Sequence, residues 1–217
     1  MSGFAIVWQN RQEMLSGFAN TVTLSALSLI FSLVLGAMLS MALNGRAVFP
    51  RRLAALYVDA MRCVPFLLFA YFIYFGLPAI GLRMDNWISG LIALILYNIA
   101  YMAELLRASW RSLPADTIEA GHAFGFHGLG LFLRIILPPV ALAAVPMIGN
   151  QTIQIIKDSA FLTIIAVAEL THAATSIQTT YFVPFVSFIT AIALYWMLCM
   201  VIETGVAFAG RLAEARR

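Results

Sequence analysis

The sequence predicts an all-α integral membrane protein with about five transmembrane helices. Two observations lead to this class. The chain is 62% hydrophobic and only 11% charged, whereas charged residues make up about a quarter of an ordinary soluble domain. Its charged residues are also separated by five long neutral stretches. Each stretch is long enough for one helix, because about 20 residues cross a hydrocarbon core of about 30 Å.

The neutral stretches place the predicted spans one after another along a single membrane domain, residues 1–217. An amphipathic N-terminal segment, 3–15, precedes the first span, and Asn44-Gly45 is a turn signal that ends that span. The opening residues lack the pattern of a cleavable signal peptide, so we expect the first span to remain as a membrane helix. The predicted spans are approximately 17–43, 53–75, 87–112, 133–157 and 185–208.

Two features should interrupt the helices in the second half of the chain. Pro138, Pro139 and Pro146 lie in the fourth span and are expected to bend its inner half. The apolar patch at 160–168 has roughly nine residues, which is too short to cross the bilayer. We therefore expect a partly buried or re-entrant helix there.

The basic residues indicate how the chain crosses the membrane. With the N-terminus outside, five crossings leave only Arg11, Arg83 and Lys157 on the outer side, which agrees with the positive-inside rule. The net charge of +3 then reflects topology, and the scattered basic residues give no reason to expect a nucleic-acid partner. The residues on or near the cytoplasmic side, together with the C-terminus, are Arg46, Arg51, Arg52, Arg62, Arg107, Arg111, Arg134, Arg211, Arg216 and Arg217.

Cysteine and histidine give no sign of a metal site or a disulfide framework. Cys63 and Cys199 lie within or beside predicted spans and lack metal-ligand spacing. His122, His127 and His172 lie in predicted loops or short helices and are interpreted as surface residues. We expect no bound metal.

A polar segment punctuated by glycine, 115–131, lies between the third and fourth spans. Asp116 and Glu119 are spaced as a capping box, with Asp116 as the N-cap and Glu119 returning to its backbone N–H. The spacing predicts a short helix over about 117–124. Isolated helices of fewer than about 12 residues are marginal in water, so this one needs a partner for its apolar side chains. Those side chains are Ile118, Ala123 and Phe124.

Glycines after this helix permit a sharp reversal of the chain at Gly125, Gly128 and Gly130. Local chemistry alone leaves two interpretations open, an ordinary structured loop between two spans and a docking element on the cytoplasmic side.

The spacing of residues over 119–138 distinguishes between these two interpretations. Glu119, Ala120 and Gly121 are followed by Gly125, and after nine more residues comes the stretch 135–138, Ile-Ile-Leu-Pro. This resembles the E-A-A, three residues, G, nine residues, I-x-L-P signature of binding-protein-dependent ABC importer permeases. Gly121 replaces the second alanine of the signature, a change that costs a helix up to about 1 kcal/mol.

Residues elsewhere extend the resemblance over roughly 14–208, toward the permeases of polar amino-acid uptake. They include Gly17, Thr21, Tyr57, Asp59, Arg62, Tyr74, Tyr101, Glu104, Asn150, Lys157, Glu169 and Tyr195.

The resemblance implies partners and a location. It implies a cytoplasmic ABC ATPase dimer, a second permease subunit that is homologous or identical, and an extracytoplasmic solute-binding protein, all at the bilayer of a bacterial inner membrane. The chain has no G-x-x-x-x-G-K-[ST] phosphate loop, so ATP and Mg would be bound by the partner ATPase, and no cofactor by this chain. The implied coupling residues are Asp116, Glu119, Ala120, Gly121 and Gly125.

Polar residues recur along three predicted spans and are candidates for a substrate pathway, because polar groups in hydrocarbon tend to face cavities. Helix packing is the alternative, since such groups also hydrogen-bond between spans. Glu104 and Arg107 are also spaced for an ion pair within one helix. The three stripes are Asn150, Gln154 and Asp158; Thr21, Ser25 and Ser28; and Asn98, Tyr101 and Glu104.

These observations favour a transport subunit, not an enzyme, that moves a polar amino acid or a derivative such as an opine. A stand-alone secondary transporter or channel is the alternative, in which the polar stripes would bind substrate and ions directly. A membrane-embedded enzyme is disfavoured, because no cluster of histidines or carboxylates falls in mid-membrane.

Overall fold

The structure is a computed structural model that describes the backbone of residues 3–45 and 47–214 and the side chains up to residue 210. Its described residues form helices and connecting loops, which confirms the predicted all-α class. The α-helices are α1 (Gly3–Gln9), α2 (Arg11–Asn44), α3 (Val48–Cys63), α4 (Phe66–Ala79), α5 (Asn86–Arg111), α6 (Ala115–Ala123), α7 (Gly128–Leu131), α8 (Leu137–Ser159), α9 (Leu170–Tyr181) and α10 (Pro184–Glu214).

Four helical stretches in the described chain are long and apolar enough to cross a membrane, and α3 and α4 together supply a fifth if the bent pair counts as one span. The number agrees with the predicted five. The helices α2 and α5 finish at the end of the bundle that carries α6, and α8 returns from there to the opposite end, which carries α9. We call these the α6 end and the α9 end.

Close packing of α2 against α5 forms the centre of the bundle. Gly36 lies directly on α5, where an added Cβ would be 2.6 Å from Met102 Cβ and 3.2 Å from the Ile99 carbonyl oxygen. Met102 and Leu94 are fully buried. Because a small residue lets two backbones approach closely, Gly36 sets the distance between these helices.

The predicted second span, 53–75, is not one continuous helix. It is divided at Val64 and Pro65, and α3 and α4 are bent by 109° from one another. Proline lacks a backbone N–H and disfavours helical geometry in the residue before it, and Val64 is extended at φ −94° and ψ 132°. The Tyr97 hydroxyl donates to the Val64 carbonyl oxygen at 3.0 Å, so α5 holds the break in place.

The fourth span also departs from a regular helix. A π-helical turn, Phe132–Ile136, precedes α8, and Pro138 and Pro139 occupy the first turn of α8. Because neither proline can donate a backbone hydrogen bond, the wider π turn lies where the ordinary pattern is interrupted.

The apolar patch at 160–168 is a short, partly buried helix, as expected. Ala160–Ile165 forms a 3₁₀ helix, and Ala166 follows in the left-handed region at φ 56°. Asn20 and Asn86 donate from their side chains to the carbonyl oxygens of Ala168 and Ala166. These amides satisfy backbone groups that would otherwise lack a partner near the membrane.

The N-terminal segment predicted at 3–15 is divided by Asn10 into α1 and the start of α2. The first helix packs on α10, where an added Cβ at Gly3 would lie 2.8 Å from a methyl carbon of Val186. It therefore lies at the α9 end of the bundle.

The contact at Gly36 gives a stability prediction. Replacing Gly36 with alanine should destabilise the protein by about 1–3 kcal/mol, because the new Cβ meets Met102 and the α5 backbone in a packed core. Thermal unfolding in detergent measures the change. Gly76→Ala is the matched control, since its Cβ would be 3.9 Å from Phe72; equal midpoints for the two variants would contradict the account.

Candidate functional site

The helix α6 begins at Ala115, two residues before the start that the sequence pattern predicts. Pro114 is the N-cap residue, and no side chain caps the helix. The predicted capping box of Asp116 and Glu119 is therefore wrong, because Pro114 already has φ −58° and ψ 136° and starts the helix itself. Asp116 lies in the first turn, where its carboxylate stabilises the helix dipole.

The outward face of α6 is exposed along the whole length of the helix. Asp116, Glu119, Ala120, Ala123 and Phe124 are all exposed, and they recur at the three- and four-residue intervals of one helix face. Phe124 is 84% exposed. Among the described residues, neither carboxylate takes part in a hydrogen bond or an ion pair. A lone helix that presents acidic groups and an exposed phenyl ring has the character of a docking surface.

The end of α6 depends on Gly125. Its φ is +81°, a value that favours glycine. The Gly125 N–H donates to the His122 carbonyl oxygen at 2.9 Å, and the Phe126 N–H donates to the Gly121 carbonyl oxygen at 3.0 Å. This pair of bonds is a Schellman motif. Of the other two glycines expected to reverse the chain, Gly128 has φ +53°, whereas Gly130 lies inside α7.

The inward face of α6 packs on α7 and on the π turn. Gly121 is buried there, and an added Cβ would lie 2.5 Å from Leu131 Cδ1. The glycine that departs from the E-A-A pattern therefore sits at a close contact. Trp110 stacks on Phe132 with ring centroids 5.6 Å apart. The apolar cluster beneath α6, which we call the α6 base, contains Trp110, Leu113, Ile118, Phe126, Leu131, Phe132, Ile135, Ile136 and Val140.

A second candidate site is a groove of about 770 Å³ between α8 and α10. Asn150 and Gln154, both predicted pathway residues, line this groove together with Lys157 and Glu203. The groove residues that come from α10 are mostly apolar, and they recur at helical intervals. Its lining residues are Ile192, Tyr195, Trp196, Cys199, Met200, Glu203 and Val206.

The remaining pathway candidates lie elsewhere. Asp158 is buried and accepts a hydrogen bond from Gln154 at 2.8 Å. Ser25 is 4% exposed, and its hydroxyl has no partner. The Tyr101 hydroxyl bonds to that of Tyr97. Glu104 forms the expected ion pair with Arg107 at 2.6 Å. None of these four candidates lines the groove.

One polar contact joins two helices that the sequence pattern did not connect. The Gln151 amide donates to the Asn98 side chain at 2.7 Å. The polar stripe on α5 therefore contacts α8 through Gln151, the residue that follows Asn150. Glu203 was also missed, although Tyr195, Cys199 and Glu203 recur every four residues and could have signalled a polar edge on α10.

Glu169 is the strongest buried polar contact that sequence reasoning passed over as a site. It is fully buried as the N-cap of α9, and its carboxylate accepts from the Thr171 and His172 N–H groups and from the Tyr195 hydroxyl, each at 2.7 Å. Burial raises the pKa of this carboxyl, and the hydrogen bonds oppose that rise. The contact ties α9 to α10, and the Thr21 hydroxyl accepts from the Leu170 N–H to tie α9 to α2.

The described residues contain no group of three or more histidine, cysteine or acidic side chains arranged to hold a metal ion. His122 and His127 do approach one another, with their Nδ1 atoms 3.3 Å apart, but both are exposed at the tip of the α6 segment.

Comparison with known proteins places this geometry in context. Residues 32–211 match the family described as "Binding-protein-dependent transport system inner membrane component". The probable glutamine ABC transporter permease protein GlnM of Bacillus subtilis (strain 168) is 32% identical over 212 residues, which cover 97% of each chain. The octopine transport system permease protein OccQ of Rhizobium meliloti is 33% identical and covers 94% of this chain and 90% of its own.

Solved structures share the fold. A chain from the "Crystal structure of an amino acid ABC transporter with histidines" superposes with a TM-score of 0.90 at 24% identity, covering 97% of this chain and 98% of its own. A chain of the MetNI methionine ABC transporter in an inward-facing conformation gives 0.71 at 17% identity, covering 93% of this chain and 98% of its own.

The left-handed residue at the end of α6 gives a second prediction. Gly125→Ala should weaken α6 by about 1–2 kcal/mol, because an alanine at positive φ is strained although no atom lies within 4 Å of the added Cβ. Hydrogen exchange of the α6 amides should be faster by roughly tenfold. Gly130→Ala is the control, since it has the same free space without the positive φ; if both variants exchange alike, Gly125 does not terminate the helix in this way.

Proposed function

This chain belongs to the family of binding-protein-dependent transport system inner membrane components, and from that premise we propose that it is the transmembrane subunit of an ATP-driven importer for a polar amino acid or a derivative such as an opine. The relatives support the substrate class, since their names include glutamine, cystine and octopine permeases. The alternative of a stand-alone secondary transporter or channel loses support, because these relatives are permease subunits.

The observation that carries the proposal is the unpartnered outward face of α6 on a firmly packed base. Asp116, Glu119 and Phe124 are exposed while Gly121 and Leu131 are buried below them. A partner that grips the outer face moves α6, and the α6 base transmits that movement to α5 and α8. Packed elements with two arrangements are the means by which such movements are transmitted.

The partner proposed for this face is the cytoplasmic ABC ATPase dimer. ATP and Mg are bound by that dimer, since the chain lacks the glycine-rich phosphate loop. Closure of the dimer over ATP pulls on Glu119 and its neighbours and shifts the bundle between inward-open and outward-open states. No residue of this chain carries out covalent chemistry in the scheme.

The distribution of charge supports an orientation with the α6 end in the cytoplasm. Arg51, Arg52, Arg107 and Arg111 lie at this end, together with Arg134 in the π turn. At the α9 end the basic residues are fewer, and they are Arg11, Arg83 and Lys157. By the positive-inside rule, the N-terminus is then extracytoplasmic and the solute-binding protein docks at the α9 end.

The groove between α8 and α10 is the proposed part of the substrate path. Its amides, Asn150 and Gln154, donate and accept hydrogen bonds, and Lys157 and Glu203 supply the two charges that complement a carboxylate and an ammonium group. Trp196 adds an apolar wall. The groove is open on one side, so a second permease subunit, identical or homologous, completes the path.

Charge reversal at Glu119 tests this proposal. Glu119→Lys should lower ATP-dependent uptake by about tenfold or more, because reversing a charge in a docked interface introduces repulsion or leaves the partner's group unpaired. Uptake is measured in proteoliposomes that contain the permease, its ATPase and its binding protein. The folded fraction should not change, since the exposed Glu119 side chain makes no hydrogen bond or ion pair within the described residues.

Glu13→Lys is the matched control, an exposed carboxylate reversed in the first turn of α2 at the opposite end. It should leave copurification of the ATPase with the permease as in the unmodified protein, whereas Glu119→Lys should weaken it. Uptake retained in Glu119→Lys, or copurification of the ATPase lost equally in both variants, would refute the docking role of α6.

A further inference from the structure

A basic pocket lies at the α6 end of the bundle, and its lining includes no residue of α6 or of the groove between α8 and α10. It has a volume of about 400 Å³ and is formed where the last turn of α2, the first turns of α3 and the last turns of α5 meet. Its lining residues are Leu43, Asn44, Arg51, Arg52, Ala55, Arg107 and Arg111. The proposed transport mechanism makes no use of it.

The charge of the pocket is strongly unbalanced. Four of its seven lining residues are arginines, and none is acidic. Arg107 is paired with Glu104 through two hydrogen bonds of 2.9 and 2.6 Å. Within the described part of the chain, Arg51, Arg52 and Arg111 have no carboxylate within ion-pair distance. Three guanidinium groups that line one cavity repel one another, so an anion bound among them would lower the electrostatic free energy of the pocket.

The geometry of the guanidinium groups indicates which anions the pocket can bind. Each presents a planar set of N–H donors that matches the oxygens of a phosphate or a carboxylate. Asn44 adds a side-chain amide at the rim, although its Nδ2 donates to the Ser40 carbonyl oxygen at 3.1 Å. The cavity is large enough for a phosphodiester with a small polar substituent.

The surroundings of the pocket place it at the surface of the bilayer. It lies at the ends of two spanning helices, α2 and α5, which is the depth of the lipid headgroups. On α3, the apolar side chains Phe49, Leu53 and Leu56 are 80%, 59% and 66% exposed beside the arginines. A helix with exposed apolar residues and a basic edge is typical of the membrane interface.

Apolar surface continues from the pocket along the same two helices. A groove of about 520 Å³ begins within one helical turn of it on both α2 and α3. The groove is suited to an acyl chain because its lining is almost wholly apolar. The residues that line it are Leu39, Ala42, Pro50, Leu53, Ala54, Leu56, Tyr57 and Ala60.

We propose that this pocket binds the phosphate headgroup of an anionic phospholipid from the leaflet at the α6 end. Basic pockets between transmembrane helices on the cytoplasmic side bind anionic headgroups in this manner. The arginines would hold the phosphodiester, and the apolar surface of α2 and α3 would contact an acyl chain. The bound lipid would join the ends of α2, α3 and α5 next to the α6 base.

The test compares lipid retention by two variants of equal charge. The purified full chain with its ATPase is placed in phosphatidylcholine nanodiscs with increasing phosphatidylglycerol, and native mass spectrometry counts the lipids that stay bound. Arg51→Gln with Arg111→Gln removes two pocket charges. Because each basic residue near a bilayer surface contributes roughly fivefold in affinity, half-maximal retention should require about 25-fold more phosphatidylglycerol.

Arg62→Gln with Arg83→Gln is the control, since both arginines are exposed and neither lines the pocket. It should retain phosphatidylglycerol as the unmodified protein does. Equal retention by the pocket variant would overturn the proposal. So would displacement of the lipid by millimolar inorganic phosphate, which would identify a free-phosphate site.

A third measurement separates lipid from protein as the occupant. If the pocket variant keeps its phosphatidylglycerol but no longer copurifies with the ATPase, the arginines serve a protein interface and the lipid assignment is wrong. Loss of the lipid with the ATPase still bound supports the assignment. The result is independent of substrate transport, so a failure of the importer hypothesis would not alter it.

Discussion

The packing of α6 against α7 and the π turn is the contact on which the account of this protein depends. A nine-residue helix has little stability alone, and the α6 base holds it through a stacked pair, Trp110 and Phe132, and through the close approach at Gly121. Because the base fixes one face, the other face can remain exposed without the helix being lost. An exposed but rigid helix is suited to receive a force and to pass it on.

The opposite end of the bundle is held by polar bonds in addition to apolar packing. The chain there leaves the helical pattern between α8 and α9, where backbone groups lack partners from a regular helix. Side chains supply them, since Asn20, Asn86 and Thr21 bond to that backbone and Glu169 caps α9. Apolar packing therefore secures both ends of the bundle, and at the α9 end polar side chains add bonds to the irregular backbone. A transporter that opens alternately to each side needs both ends to be well defined.

The sequence predicts the helices well where charges mark their limits. The third span was expected at 87–112 and α5 covers Asn86–Arg111, because Asp85 caps its start and the loop before α6 ends it. The sharp bend at Val64 was not predicted, although Pro65 is visible in the sequence. Its angle depends on Tyr97 of α5, which bonds to the Val64 carbonyl oxygen, and no local pattern contains that contact.

For the candidate sites, too, the sequence predicted features that depend on neighbouring residues and missed contacts between distant helices. The spacing of Glu119 and Gly125 located the α6 segment, because both residues belong to one short helix and its C-terminal turn. The capping interpretation failed since Pro114 competes with Asp116 for the start of the helix. On α8, the stripe of Asn150 and Gln154 was visible, but the sequence could not show that α10 faces it with Glu203. Such pairings follow from the packing of distant helices.

Photocrosslinking from α6 in the assembled complex tests the central claim most directly. A photoreactive amino acid replaces Phe124, which is 84% exposed on α6, and in a parallel sample Phe75, which is 65% exposed on α4. The account predicts that position 124 crosslinks to the ATPase subunit and that position 75 does not. Crosslinks from position 124 to lipid or to its own chain alone would contradict it.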